Sequence, residues 1–572
     1  QGARGFHDYF VTHLPSSSLH PDSRSAPGPH HKLPRAASAP HTPGSSAVAP
    51  ASPPNMPSRD LTVVRIPLRS AKHHFGAHSG RGSRPYNEDT NQAGTIDIPA
   101  FAKRAPMSLV RSERSKNAGE ATTADSSFGD PQVFYFGVFD GHGGSECADF
   151  LRNELHIYIE EAANNFELKS SLRKKSKLFK TGAAETDRNA LTGGVEPVAA
   201  RPANKKALAG MGLKSPEEVK TQLDGLDLAN GKMPTAVSQE PLLVKGDLHK
   251  ALQLERDIIA EYKNTIGGYF RRFKPPRFDL DTGATDSSQL HTTKPKISIE
   301  AVLTYAFLRA DLDFVTAQAR KPDPDDPYVS DNLPLNSDEV LGTSPHRLAS
   351  RQNVIGGPTR FKGGSTASIA LISTPTPAPY WHPNAHSTVV VAHVGDTRIL
   401  LCETTSGLAV PLTSDHHPSS PSEARRLTRF AESSLVTDSF GEERIGGLAN
   451  SRAFGDMGSK RIGVSAEPEL TRMELGPAQF SFMVLVSDGV SGTLSDQEIV
   501  DIIKEARTPE QASRDVVSYA TEVSSDGDNA TCLVLRLGGW ERRSEGGLGS
   551  LGTKEMRDAR RAEANDPRRG RR

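Results

Sequence analysis

The chain has 572 residues, several times a typical domain of about 150 residues, with 69 basic against 69 acidic side chains and no net formal charge. That balance excludes a globally basic nucleic-acid binder and an acidic tail protein. Only 35% of the residues are hydrophobic, with 41 prolines and 49 glycines, so one sizeable core with much polar padding is expected, and no apolar run approaches the roughly 18 residues of a membrane helix.

Residues 1–60 are rich in Ser, Pro, His and Ala and lack apolar periodicity, the composition of a disordered segment. Arg4, Arg24, Lys32, Arg35 and Arg59 outnumber Asp8, Asp22 and Asp60; an Arg-containing, Ser-rich, acid-poor N-terminus is also that of an organelle transit peptide, and the missing apolar h-region argues against secretion. A first strand is expected at 61–68, a polar insertion at 102–130 and a strand at 133–139. The 145–164 segment places Phe150, Leu151, Leu155, Tyr158, Ile159 and Ala162 on one helical stripe. A second insertion follows at 166–245, then striped helices at 247–267 and 298–318, then an insertion at 321–360. Strands are expected at 387–393, 399–402, 480–486 and 531–537. Ser420 with Glu423, Ser495 with Glu498 and Thr508 with Gln511 are capping boxes, two of them with Pro at the first helical position. The folded domain is expected to span 61–538. A Gly-containing disordered tail then ends in Arg568, Arg569, Arg571 and Arg572. Cys147, Cys402 and Cys532 are too few and too widely spaced for a disulfide framework or a zinc site, which indicates a reducing compartment.

The informative pattern is a set of carboxylates beside apolar strands. Segment 133–139 runs into Asp140-Gly141-His142-Gly143-Gly144, segment 480–486 into Ser487-Asp488-Gly489, and Asp526, Asp528 and Asn529 precede the last strand. Glu88 and Asp89 close Arg84-Pro85-Tyr86-Asn87-Glu88-Asp89. One Asp-Gly after a strand is ordinarily a turn. Several in order suggest oxygen ligands gathered at one edge of a sheet system, a set suited to Mg²⁺ or Mn²⁺ rather than zinc.

With Gly364-Ser365-Thr366-Ala367, Val394-Gly395-Asp396-Thr397-Arg398, Leu412-Thr413-Ser414-Asp415-His416, Ser451-Arg452-Ala453-Phe454-Gly455-Asp456 and Asp528-Asn529-Ala530-Thr531, these motifs run in the order of a known family. The sequence resembles the metal-dependent (PPM, type 2C) Ser/Thr protein phosphatases, with similarity to fungal mitochondrial members. The resemblance implies an α+β fold, a central sandwich of two antiparallel β-sheets flanked by helices on both faces. It implies hydrolysis of phosphoserine and phosphothreonine by a hydroxide bridging two Mg²⁺ or Mn²⁺ ions. Asp140 would bridge them, with Glu88 and the Gly141 carbonyl on one ion and Asp488 and Asp528 on the other. Arg84 would grip the phosphate, His142 would protonate the departing oxygen, and Asp89, Asp396 and Asn529 would support the ligands from behind. Ser491-Gly492 stands where the family has Trp-Asp, so a third ion near Asp396 lacks one carboxylate.

Other signals are weaker. Gly80-Arg81-Gly82 lacks the strand-before, helix-after setting of a nucleotide loop, and no G-x-S-x-G elbow is present. His393 reads as a packed strand histidine, His416 and His417 as turn residues, and the basic runs at 173–180 and 271–277 as solvated faces. The alternative to an enzyme is a pseudophosphatase scaffold of the same fold. Retention of Glu88, Asp140, Asp488 and Asp528 favours the enzyme, because carboxylates crowded in an empty site repel one another. The expected partners are phosphoprotein substrates, with no nucleic acid and no membrane, and the protein is expected to be a monomer. The expected location is the mitochondrial matrix, with the cytoplasm as the alternative.

Overall fold

The run Val133–Phe139 is apolar without alternation, as a strand covered on both faces must be. The computed structural model describes residues 74–104, 130–172, 248–278, 297–323, 355–376, 378–427, 435–437, 441, 443–524, 527–544, 555 and 557–562, and the backbone of two strands at 9–15 and 61–67. In chain order the strands are β1 Tyr9–Pro15, β2 Leu61–Pro67, β3 Phe75–Gly80, β4 Thr90–Ile96, β5 Val133–His142, β6 Gly364–Ser373, β7 Ser387–Val394 and β8 Arg398–Glu403. They continue as β9 Ala409–Pro411, β10 Leu435–Thr437, β11 Glu443–Ile445, β12 Phe454–Gly455, β13 Glu469–Leu475, β14 Phe480–Val486 and β15 Ala530–Arg536. The helices are α1 Glu146–Asn165, α2 Leu248–Thr265, α3 Ile299–Ala319, α4 Pro421–Leu427, α5 Asp488–Ser491, α6 Asp496–Glu505 and α7 Pro509–Val523.

Two antiparallel sheets carry the fold. One has the order β13-β7-β6-β5-β4 with β12 also on β6, and the other β3-β15-β14-β8-β9. Strand pleating sorts the apolar runs between layers. Phe134, Phe136 and Val138 of β5 meet Met483 and Leu485 of β14, Leu533 and Leu535 of β15 and Ile399 and Leu401 of β8 in the inter-sheet core. Their neighbours Val133, Tyr135 and Phe139 face α1, α2 and α3 on the outside of the first sheet. Phe482, Val484 and Val486 face α6 and α7 on the outside of the second. This is the expected α+β sandwich with helices on both faces.

Helix α3 is buried along its whole length, more than a stripe implies. Its polar side chains are matched inside: Arg309 with Glu261 at 2.7 Å, Asp311 with Lys460 at 2.8 Å, and Asp313 accepting from Tyr158 at 2.9 Å. Ser495 and Glu498 form the expected capping box, and Thr508 accepts from the Gln511 amide beside Pro509. Ser420 instead donates to the His417 carbonyl at 2.8 Å, because Glu423 is drawn to Ser451, Arg426 and Arg452.

Several boundaries differ from the sequence reading. Strand β2 pairs with β1 in a separate ribbon, Tyr9 opposite Pro67, so a strand lies inside the stretch expected to be disordered and the 61–68 strand stays out of the sandwich. The insertion expected from 166 opens later, since Phe166, Leu168 and Ser171 are buried and Ser171 donates to the Ala100 and Ala102 carbonyls. At the end of α3, Arg360 donates to the Gln318 and Ala319 carbonyls, which anchors the far end of the 321–360 segment. The fold also runs past 538: Trp540 is buried in the second helix layer with the Arg543 guanidinium 4.2 Å over its ring. Most of the expected N-terminal segment, the insertions and the final tail lie outside the described residues, as does the separate unit Lys174–Glu240. The three cysteines are buried and free. Among the described residues no helix is long and apolar enough to cross a membrane.

Candidate active site

Antiparallel pairing explains why acids scattered over the sequence meet. In such a sheet the C-terminal end of one strand lies beside the start of its neighbour. In the first sheet Phe139 pairs with Thr90, His142 with Gly364, and Ala367 with Val394. In the second, Val486 pairs with both Arg398 and Cys532. Asp140 near the end of β5, the acids that follow β7 and β14, and the acids that precede β4, β8 and β15 therefore come to the same end of the sandwich. Gly489 lets the two acidic loops touch, since a Cβ there would collide with the Asn529 carbonyl. Gly395 takes φ 107° immediately before Asp396, a conformation that favours glycine.

The result is a cavity of about 260 Å³ lined by Arg84, Glu88, Asp140, His142, Asp396 and Asp488, with Gly141 and Asp528 also on its wall. Carboxylate oxygens of Asp140, Asp396 and Asp488 lie within 4.8 Å of one another. Asp528 is turned to Arg84, Nη2 to Oδ2 at 2.9 Å. Glu88 accepts from the Gly144 amide at 2.5 Å, while its own amide donates to Asn529 Oδ1 at 2.8 Å. Asn529 donates from Nδ2 to the Arg81 and Tyr86 carbonyls, tying the Arg84 loop to the start of β15. Asp89 sits behind, accepting from Ser487 Oγ at 2.7 Å.

These acids carry their charge at a cost. Burial, followed by Asp488, Asp89 and Asp396, holds the Asp140 carboxyl well above the carboxylate range. Burial and then Asp488 push Asp396 up to about 7, against a hydrogen bond from Asn450 that favours its charged form. Asp488 and Asp89 are each pushed up to about 6, burial again first. Burial alone would lower His142, but Asp456, 2.9 Å from Nε2, with Asp396 and Glu88 beside it, outweighs burial and holds the imidazole above its ordinary value. Buried like charges gathered on oxygen-only donors are what a hard divalent cation would relieve. Asp89 Oδ1, Thr366 Oγ1 and Asn450 Oδ1 are further buried oxygens with no hydrogen-bond partner among the described residues. The donor set thus fits Mg²⁺ or Mn²⁺.

The family model described as Protein phosphatase 2C matches residues 106–203 and 330–528, more than half of the chain. The chain belongs to the protein phosphatase 2C family. It is accordingly a protein serine/threonine phosphatase by class. Protein phosphatase 2C homolog 4 of Schizosaccharomyces pombe is 28% identical over 84% of this chain and 84% of its own length. Protein phosphatase 1K, mitochondrial, of Xenopus laevis is 35% identical over 31% of this chain, which spans 44% of that relative. Among solved structures, the serine-threonine phosphatase 2C of Toxoplasma gondii covers 81% of this chain and 94% of its own at 16% identity, with a TM-score of 0.39.

All ten site residues named from the sequence lie at this end of the sandwich. Asp396, expected to support from behind, stands in the trio with Asp140 and Asp488; Asp528, expected as a ligand, lines the wall and pairs with Arg84. Sequence reasoning gave no site role to Thr366, Arg444 and Asn450 of the lining, or to Asp456. Asp456 was within reach, because it closes a motif that had been singled out. His393 and His416 lie away from the cavity lining and stack on each other with ring centroids 4.7 Å apart.

Proposed function

We propose that this phosphatase hydrolyses phosphoserine and phosphothreonine esters of proteins with two Mg²⁺ or Mn²⁺ ions held by the carboxylates of this cavity. The observation that carries the reading is the convergence of Asp140, Asp396 and Asp488 within 4.8 Å, in a cavity that also holds a guanidinium and an imidazole. Asp140, Glu88 and the Gly141 carbonyl would hold one ion, and Asp140, Asp488 and Asp528 the other. When bound, such ions supply charge neutralisation at the phosphoryl oxygens and acidify the attacking water.

The chain's own groups do the rest. Arg84 stands half-exposed on the rim, one nitrogen on Asp528, and its planar fork has further N–H groups to orient phosphate oxygens. His142, protonated beside Asp456, holds a proton at the place where the serine or threonine oxygen departs. Asp89 and Asn529 fix the loops that carry Glu88 and Asp528. The test is hydrolysis of a phosphothreonine peptide with Mg²⁺, with Mn²⁺ and with EDTA. Activity is expected only with the cations; full turnover in chelator would overturn the reading.

The mitochondrial matrix is the location this reading assigns. Its support is the acid-poor composition of residues 1–60 and the name of the Xenopus laevis relative. Fusing residues 1–60, with any residues that precede them in the natural chain, to a fluorescent protein is expected to direct it to mitochondria. A diffuse cytosolic signal would refute the assignment.

A further inference from the structure

Asp456, a residue outside the expected site, touches it directly. Both of its carboxylate oxygens lie 2.9 Å from His142 Nε2. Its backbone takes φ 44° and ψ 50°, the left-handed region that few residues other than glycine, asparagine and aspartate tolerate. Such a conformation persists only where the surroundings impose it, and here they do. The Asp456 amide donates to the Gly363 carbonyl at 2.9 Å. The Gly455 amide donates to Asp311 Oδ1 at 3.0 Å, and Lys460 Nζ donates to the same oxygen and to the Ala453 carbonyl, each at 2.8 Å. Tyr262 donates to the other Asp311 oxygen at 3.0 Å. Asp311 and Lys460 are wholly buried, so a fixed ion pair in the helix layer underpins the turn.

We propose that Asp456 is a positioning residue for leaving-group protonation, holding His142 by Nε2 so that Nδ1 is the atom that delivers the proton, on a turn locked by the buried Asp311–Lys460 pair. A carboxylate on one imidazole nitrogen fixes the ring's orientation and which nitrogen works. This rests on the hydrolase reading above. In the reaction a water oxygen forms its bond to phosphorus as the bond from phosphorus to the serine or threonine oxygen breaks. The bonding pair stays on that oxygen, which takes the Nδ1 proton. The attacking water gives a proton to solvent and the ring regains one from solvent, so the sum is ester plus water giving alcohol plus phosphate.

Leaving-group dependence separates this role from a structural one. An alkoxide needs a proton to leave, whereas 4-nitrophenolate leaves without one. Asp456→Asn keeps the shape and tolerates the positive φ. It is expected to lower kcat on a phosphothreonine peptide about 100-fold, with a loss on 4-nitrophenyl phosphate at least about tenfold smaller, and with unchanged Mn²⁺ stoichiometry by calorimetry. Asp456→Gly, which also accepts the turn, should behave alike. His142→Ala is the reference. If it discriminates between the substrates and both Asp456 variants lose equally on the two, the positioning role is overturned. If His142→Ala itself does not discriminate, protonation by His142 falls and this proposal with it, while cation-dependent hydrolysis by wild type stands separately.

Discussion

Replacing Asp396 by Asn asks whether the carboxylate cluster is held together against its own repulsion. Without a cation, Asp396 is pushed up to about 7 from 3.8, by burial and then by Asp488. A native value above the unfolded one means that the folded protein holds the proton more tightly. The stability from this group is then fully present below about pH 4 and lost as pH rises through about 7. At about 1.4 kcal/mol for each pH unit, that gap corresponds to about 4 kcal/mol by pH 8, and sharing the charge with Asp488 and Asp140 makes about 2–4 kcal/mol the reasonable expectation. Asp396→Asn keeps the shape and removes the charge. In EDTA at pH 8 the variant should therefore be more stable than wild type by about 2–4 kcal/mol, falling to about half of that at pH 5.5. With Mn²⁺ the difference should shrink or reverse, because wild type gains more from the ion that it binds more tightly. Urea denaturation at the two pH values, with chelator and with Mn²⁺, measures all of this. A variant less stable than wild type in EDTA at pH 8 would refute the argument from repulsion.

Asp488→Asn should cost several kcal/mol of transition-state stabilisation, about a thousandfold in kcat/KM, with the circular dichroism spectrum unchanged; near wild-type turnover would remove Asp488 from the ligand set. Arg84→Lys keeps the charge and loses the fork, so KM for a phosphopeptide should rise about tenfold while kcat falls less. Replacing Lys174–Glu240 by a short Gly/Ser linker should leave hydrolysis of a small aryl phosphate within about twofold, since loop closure changes by only about 0.6 kcal/mol per doubling of length; a collapse in kcat/KM of a folded variant would show that this unit serves the site. Glu423→Gln should destabilise by about 3–5 kcal/mol at pH 7, because it leaves Arg426 and Arg452 without their shared acid. Those two guanidiniums overcome burial to hold Glu423 far below 4.5, so its contribution is present above about pH 4.5 and lost on acidification; urea melts at pH 7 and pH 4 test the sign.

How much of this was legible depended on what each residue's environment repeats in the sequence. Strands β5, β7, β8, β14 and β15 showed themselves as dense apolar runs because both faces are covered. Strand β3, Phe-Gly-Ala-His-Ser-Gly, did not: its glycines face close neighbours, and a Cβ on Gly76 would collide with the Pro509–Glu510 backbone at the start of α7. Strand β4 was hidden likewise by polar residues with partners on either side, Asn91 with Ser79 of β3 and Gln92 with His156 of α1. The acids of the site were visible as acids beside strands. Which of them would touch was not, because the trio is set by cross-strand register within each sheet and the packing of the two sheets, not by spacing along the chain. The αL turn at Asp456 was invisible for the same reason, being imposed by Gly363, Asp311 and Lys460, which lie far apart or outside any period.

Burial of an acid is therefore not what sets apart the carboxylates proposed as ligands in this molecule. Glu423 is buried with Arg426 and Arg452, Asp311 with Lys460, Asp313 with Arg309, and Glu300 with Arg472. Each is compensated by a cation of the same chain, and removing either partner leaves a buried charge uncovered. Asp140, Asp396 and Asp488 lie against one another instead, and the charges that dominate their surroundings are of their own sign. Folding alone gives no reason to assemble such a trio, since a hydrophobic or paired alternative would be more stable. The cost becomes intelligible only if something positively charged completes the site from outside the chain. Arg84 and Asp528 stand at the boundary between the two kinds: paired in this structure, yet on a rim exposed enough for an incoming phosphate to compete with Asp528 for the guanidinium. The same fold thus uses internal cations to fix its frame, and leaves uncompensated the end where the proposed ligands Asp140, Asp396 and Asp488 meet.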